Sequence, residues 1–155
     1  MSSVSCSALL CLVSLLGAGC SSMYGAYISV SRPEGASAFT QQEQDRAKAI
    51  VVEIGRAERF LELDPLPTRR ESSSYEYLTF VRLSGKDSEQ DTVDVSGSMR
   101  QDRREIVISI GDEYRSTPLP QTQKLVDAVH AALQRAFPDS PVEVETRNTP
   151  RVFGP

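Results

Sequence analysis

Side chains able to do chemistry are few and scattered in this 155-residue chain. His130 is the only histidine, and Cys6, Cys11 and Cys20 are the only cysteines, so sites built from several histidines or thiolates are excluded. A lone histidine can act as a general base, but no serine and carboxylate stand at a spacing that suggests a triad. His130 sits beside an apolar helical stripe, where a boundary packing role is the simpler reading. Asp87-x-Glu89-x-Asp91 alternates carboxylates that could gather round calcium. It lacks the glycine and the distant bidentate glutamate of a helix-loop-helix calcium site, and reads better as a solvated hairpin tip. Asp112-Glu113 ends an apolar strand, where two carboxylates could serve as acid and base. Adjacent residues of an extended chain point to opposite sides, which works against that pairing. Arg69-Arg70 and Arg103-Arg104 could touch a polyanion, but with a net charge of -4 they read as solvated loop charges, and a nucleic-acid partner is not expected. Phosphate-binding glycine loops, nucleophile elbows and zinc spacings are absent, with Gly85, Gly97 and Gly111 occurring singly. The expectation is therefore no catalytic residue, no metal and no cofactor.

The N-terminus carries a different kind of signal. No charged side chain precedes Arg32. Within that stretch Ala8 to Leu16 is an apolar run of the length of a signal-peptide core and too short to cross a bilayer as a helix. Gly17-Ala18-Gly19-Cys20 follows it. In these features the chain resembles bacterial lipoprotein precursors, whose signal peptidase cuts before the cysteine and whose lipid is attached to the sulfur and the new amino terminus. The resemblance implies that residues 1–19 are removed, that Cys20 becomes a palmitate-bearing first residue, and that residues 20–25 form a tether. Ser21, rather than Asp, resembles the class carried to the periplasmic leaflet of the outer membrane. Gly17 stands where the family usually has Leu, and Met1 to Ser5 lack its usual Lys or Arg. A cleaved secretory peptide without lipid and a buried apolar N-terminus are the alternative readings. From Ser21 to Pro155 there is no cysteine, so the remaining domain is held by its core alone.

The elements that must position any site follow from periodicity. A composition of 39% hydrophobic and 25% charged residues is that of one ordinary globular domain. Ala26, Ile28 and Val30 alternate with Tyr27, Ser29 and Ser31, a strand stopped by Pro33. Thr40 with Glu43 makes a capping box, and Ala47, Ile50, Ile54, Ala57 and Leu61 form a helical stripe, with Pro65 and Pro67 ending the helix. Gly55 in that helix reads as unselected slack. Tyr75 to Leu83 is apolar on both faces, which suits mid-sheet, whereas the next two runs are one-sided. In them Val93, Val95 and Met99 oppose Asp94, Ser96 and Ser98, and Ile106, Ile108 and Ile110 oppose Val107 and Ser109. A second helix runs from about Gln121 to Phe137, with Leu125, Val126, Val129, Leu133, Ala136 and Phe137 as its apolar face. Val142 and Val144 begin a last strand. The domain spans 26–147, and residues 148–155 form a loose tail.

The order β-α-β-β-β-α-β predicts an α+β two-layer sandwich, with two helices on one face of a mainly antiparallel four- or five-stranded sheet. In element order this is similar to the lipoprotein that partners the lipopolysaccharide-assembly barrel, with no shared motif. The open sheet face then carries Asp94, Ser96, Ser98 and Ser109 as a candidate interaction face. The leading functional expectation is a non-enzymatic accessory lipoprotein offering that face, a sheet edge or its tail to an envelope protein partner. A binding module for a lipid or envelope polymer, needing an apolar cavity between helices and sheet, is the alternative. A carboxylate-based hydrolase ranks behind both.

Overall fold

Alternation of apolar and polar residues builds the sheet. The computed structural model describes residues 22–64, 77–86, 92–112 and 117–150. Its strands are β1 (Ser22–Ser31), β2 (Leu61–Leu63), β3 (Tyr77–Lys86), β4 (Thr92–Arg100), β5 (Glu105–Asp112) and β6 (Val142–Pro150). All pairings are antiparallel, in the order β2-β3-β4-β5-β1-β6. Helices α1 (Gln41–Ala57) and α2 (Pro120–Ala136) lie on one face. The expected α+β two-layer architecture is the one adopted, with the strand count corrected to six. Asp87 to Asp91, Arg69-Arg70, Glu113 and Cys20 fall outside the described residues.

The core is the helix side of the sheet. Ala26, Ile28 and Val30 of β1, Val93, Val95 and Met99 of β4, and Ile106, Ile108 and Ile110 of β5 are buried against Leu125, Val126, Val129 and Leu133 of α2. Each such side chain contributes about 1.5–3 kcal/mol of transfer free energy. The whole predicted apolar face of α2 is buried.

Helix α1 is phased differently from expectation. Its buried residues are Ala47, Val51, Val52 and Gly55, with Ile50 and Ile54 only partly buried and Ala57 exposed. Gly55 explains the choice. A Cβ there would meet Leu83 Cδ1 at 2.4 Å, so this glycine lets α1 approach β3 closely and is not slack. Nor do the prolines end the helix. Arg59 adopts a left-handed φ of 66°, Phe60 N–H donates to Gly55 O at 2.9 Å and Arg59 N–H to Arg56 O at 3.0 Å. This is a Schellman stop, sealed by the buried Phe60. Leu61 consequently leaves the helix for β2, where it is 72% exposed.

β3, β6 and the start of the chain also depart from expectation. β3 is not apolar on two faces. The register shifts between Thr79 and Val81, and this bulge turns both Phe80 and Val81 towards the core. Gly97 on β4 leaves room for the pair, since a Cβ there would meet Val81 Cγ1 at 2.5 Å and the Phe80 ring at 2.8 Å. β6 runs on to Pro150 against Ser22 of β1, so residues 148–150 are strand and not tail, and Ser22 to Gly25 are strand and not tether.

Two loops are tied down by Arg104, expected as a solvated loop charge, and by Asp112, weighed as an acid-base candidate and set aside. Arg104 donates to Ala36 O at 2.7 Å and to Pro33 O at 2.9 Å, fastening the loop before α1 to the β4–β5 turn. Asp112 is 1% exposed and accepts from Thr122 Oγ1 at 2.9 Å and from Leu119 N–H at 3.3 Å. It caps α2, whose own N-cap Leu119 has no side-chain cap.

The capping box at Thr40 and Glu43 is formed as expected, and Glu43 also pairs with Arg32. The Thr40 backbone N–H it accepts, with help from Arg32, holds the Glu43 carboxyl below its ordinary value of 4.5. A depressed native pKa stabilises the fold above that ordinary value and stops doing so as pH falls through it towards the lower one. Thr40→Ala should therefore cost about 1 kcal/mol. Glu43→Gln should lower the urea midpoint at pH 7 and leave it close to wild type in acid. Denaturation curves of both variants at two pH values check this.

Candidate functional site

The sheet face away from the helices is built from the other half of each alternation. Cross-strand register sets its layout. Arg82, Ser96, Ser109, Tyr27 and Glu145 stand opposite one another across β3, β4, β5, β1 and β6. The neighbouring row is Thr79, Ser98, Val107, Ser29 and Glu143. Serines and Val107 occupy the middle of the two rows, and Arg82, Glu143 and Glu145 stand at their ends. The outcome is a concavity of about 430 Å³, floored by Ser29, Ser96, Ser98, Val107 and Ser109 and walled by Tyr27, Tyr77, Glu105, Glu145 and Arg147.

Each wall is fixed by polar contacts. Tyr77 Oη donates to Glu105 Oε2 at 3.0 Å, and Glu105 lies 3.7 Å from Arg100, itself paired with Asp102. Partial burial, then the bond to Glu105, pushes the Tyr77 phenol up, so it remains a donor at neutral pH. At the opposite wall Arg147 grips Glu145 through two bonds of 2.8 Å, and its guanidinium stands 5.3 Å from the Tyr27 ring centroid. The Arg147 bond holds the Glu145 carboxyl below its usual range and raises Arg147 in turn. Both stay ionised over the physiological range. The floor offers hydroxyls, with Thr79 Oγ1 and Ser98 Oγ at 3.5 Å.

This arrangement presents flat aromatic walls, hydroxyl donors and acceptors, and a fixed charge pair. Of the carboxylates at its walls, Glu105 accepts from Tyr77 and Glu145 is held by Arg147. Among the described residues no three His, Cys, Asp or Glu side chains gather as a metal site. Of the four residues expected on the interaction face, Ser96, Ser98 and Ser109 lie in the concavity, while Asp94 stands on the same face beside it, in the row of Gly111. His130 is on the other layer, half-buried on α2, its Nε2 3.4 Å from Val142 O.

Tyr27, Tyr77, Glu105, Glu145 and Arg147 were missed as site residues. Alternation of Tyr27 with Ile28 already placed it on the polar face. The contributions of Tyr77 and Arg147 depended on a bulge and on a strand longer than its apolar residues indicated. Among the described residues no helix is long and apolar enough to cross a membrane. No family model, curated protein or solved structure matches this chain, so the likeness in element order to the barrel-partner lipoprotein gains no support.

Proposed function

We propose that the chain is an envelope lipoprotein acting as a non-enzymatic interaction protein, and that its partner is a protein received by the open sheet face. The observation that carries this reading is the concavity between Tyr27 and Tyr77. Tyr and Arg are enriched at the energetic centres of protein interfaces, and serines beside them supply adaptable hydrogen bonds as in antibody paratopes. Their polar contacts already hold Tyr77 and Arg147 in place, so docking freezes little additional rotamer freedom. The crevice between Phe60, Val93, Gln121 and Thr122, on the helix side, has no room for a water-sized guest and so does not itself serve the cavity-binding alternative.

Anchorage enters through Cys20. Only Ser21 separates it from the start of β1 at Ser22, about 7 Å of extended chain at most. A lipid on Cys20 would thus hold the end of the sheet formed by Ser22 and Pro150 close to the bilayer, with the concavity open to the side. Acyl chains at about 0.8 kcal/mol per buried methylene suffice for a stable hold. Cys20→Ser should abolish lipid incorporation and release the protein into the soluble fraction, and mass spectrometry of the mature N-terminus reads the modification directly. An unmodified Cys20 in the exported protein would remove the anchor from this account.

The partner surface is tested by substitution at unchanged fold. Tyr27→Ala and Ser96→Arg should each reduce partner recovery from the native envelope tenfold or more, on the order of 1.4 kcal/mol. Gln134→Ala, at an exposed position of α2, should leave it unchanged. Equal recovery with all three variants would count against the open face.

A further inference from the structure

The sheet ends on one side in β2, three residues long, and on the other in β6, nine residues long, which pairs with β1 without a bulge and has no strand beyond it among the described residues. Long regular edges are templates for another strand. Ser31 N–H donates to Pro141 O at 3.0 Å in the same register as the β1–β6 ladder. Bonding positions alternate, so the odd-numbered residues of β6 exchange bonds with β1, and Val142, Val144, Thr146 and Asn148 point their N–H groups outward.

We infer that this edge takes the β6 strand of a second copy of the chain, antiparallel about a two-fold axis at Thr146. Full overlap of Val142–Pro150 with itself places Thr146 opposite Thr146, Val144 opposite Asn148 and Val142 opposite Pro150. Every outward N–H then meets a carbonyl. In this register Glu145 of each copy faces Arg147 of the other at a non-hydrogen-bonded position, where side chains lie closest. Moving the axis to Glu145 keeps Glu143 opposite Arg147 but sets Glu145 against Glu145, and moving it to Arg147 sets Arg147 against Arg147, so of the three registers only the full overlap pairs opposite charges with no like charges opposed.

A second observation fits the same register independently. Pro150 has no N–H to offer Val142 O, and that carbonyl is met within the chain by His130 Nε2 at 3.4 Å. Val144, 39% exposed on the helix side, gains cover from the partner's strand. A two-fold axis perpendicular to the sheet keeps both open faces on one side. The Glu145–Arg147 wall of each concavity then becomes the centre of a trough spanning two sheets, completed by side chains of both copies.

The test uses the full chain in mild detergent with Cys6, Cys11 and Cys20 replaced by Ser, so that an engineered thiol is the only one. Opposed hydrogen-bonded residues have Cα atoms about 5.5 Å apart, within disulfide reach. Thr146→Cys should oxidise readily to a covalent dimer, and Ser96→Cys should not. Glu145→Arg added to Thr146→Cys should cut the dimer yield roughly tenfold, and the exchange Glu145→Arg with Arg147→Glu should restore it. Cross-linking no better than that of Ser96→Cys, a yield indifferent to Glu145→Arg, or failure of the exchange to rescue would each overturn the inference. It does not rest on the proposed partner: a monomer that still captures its partner through Tyr27 overturns the dimer alone.

Discussion

Leu133→Asp should leave the domain unfolded under conditions where the wild type is native. Leu133 is fully buried between α2 and the sheet, and α2 cannot move away without also exposing Leu125, Val126 and Val129. A carboxylate there either loses its solvation or forces that separation, costing several kcal/mol against a total stability of about 5–15 kcal/mol. Val51→Asp should act similarly, whereas Ala57→Asp, on an exposed position of α1, should shift the midpoint little. Thermal or urea unfolding followed by circular dichroism compares the three. Equal effects at Val51 and Ala57 would mean that the phase of α1 is wrong.

Asp112→Ala should cost about 3 kcal/mol, a hydrogen-bonded charge and a helix cap lost together. Asp112→Asn, which keeps an acceptor, should recover part of it. The carboxylate bridges the end of β5 to the first turn of α2, where Pro120 and Leu119 supply no cap of their own. Any biological activity of these variants should follow their folded fraction and nothing else. A variant that keeps its urea midpoint but loses activity would restore an acid-base role to this carboxylate.

These residues show what the sequence makes legible. In α2 the apolar positions form a single unbroken stripe, so its buried face could be read residue by residue. In α1 the run Ile50-Val51-Val52 fits several phases, and what selects among them is the close approach of Gly55 to Leu83, a contact between distant segments. The bulge at Phe80 has the same character, because it is visible only against Gly97 of the next strand. Asp112 was singled out for its chemistry, yet its role depends on where α2 begins relative to β5. For the site, alternation alone brought Ser96, Ser98 and Ser109 to one face. The walls that make the face concave come from β1, β3, β6 and the first residue of β5, and sheet order, which places these strands round the serines, is not written in any local pattern.

The central claim is that the open face meets a protein. A photo-reactive residue at Ser96, irradiated in the native envelope, should give a discrete adduct with another protein that weakens when Tyr27 is replaced by Ala, while the same residue at Gln134 on α2 should give none. No adduct at Ser96, or the same adducts from both positions, would contradict the account.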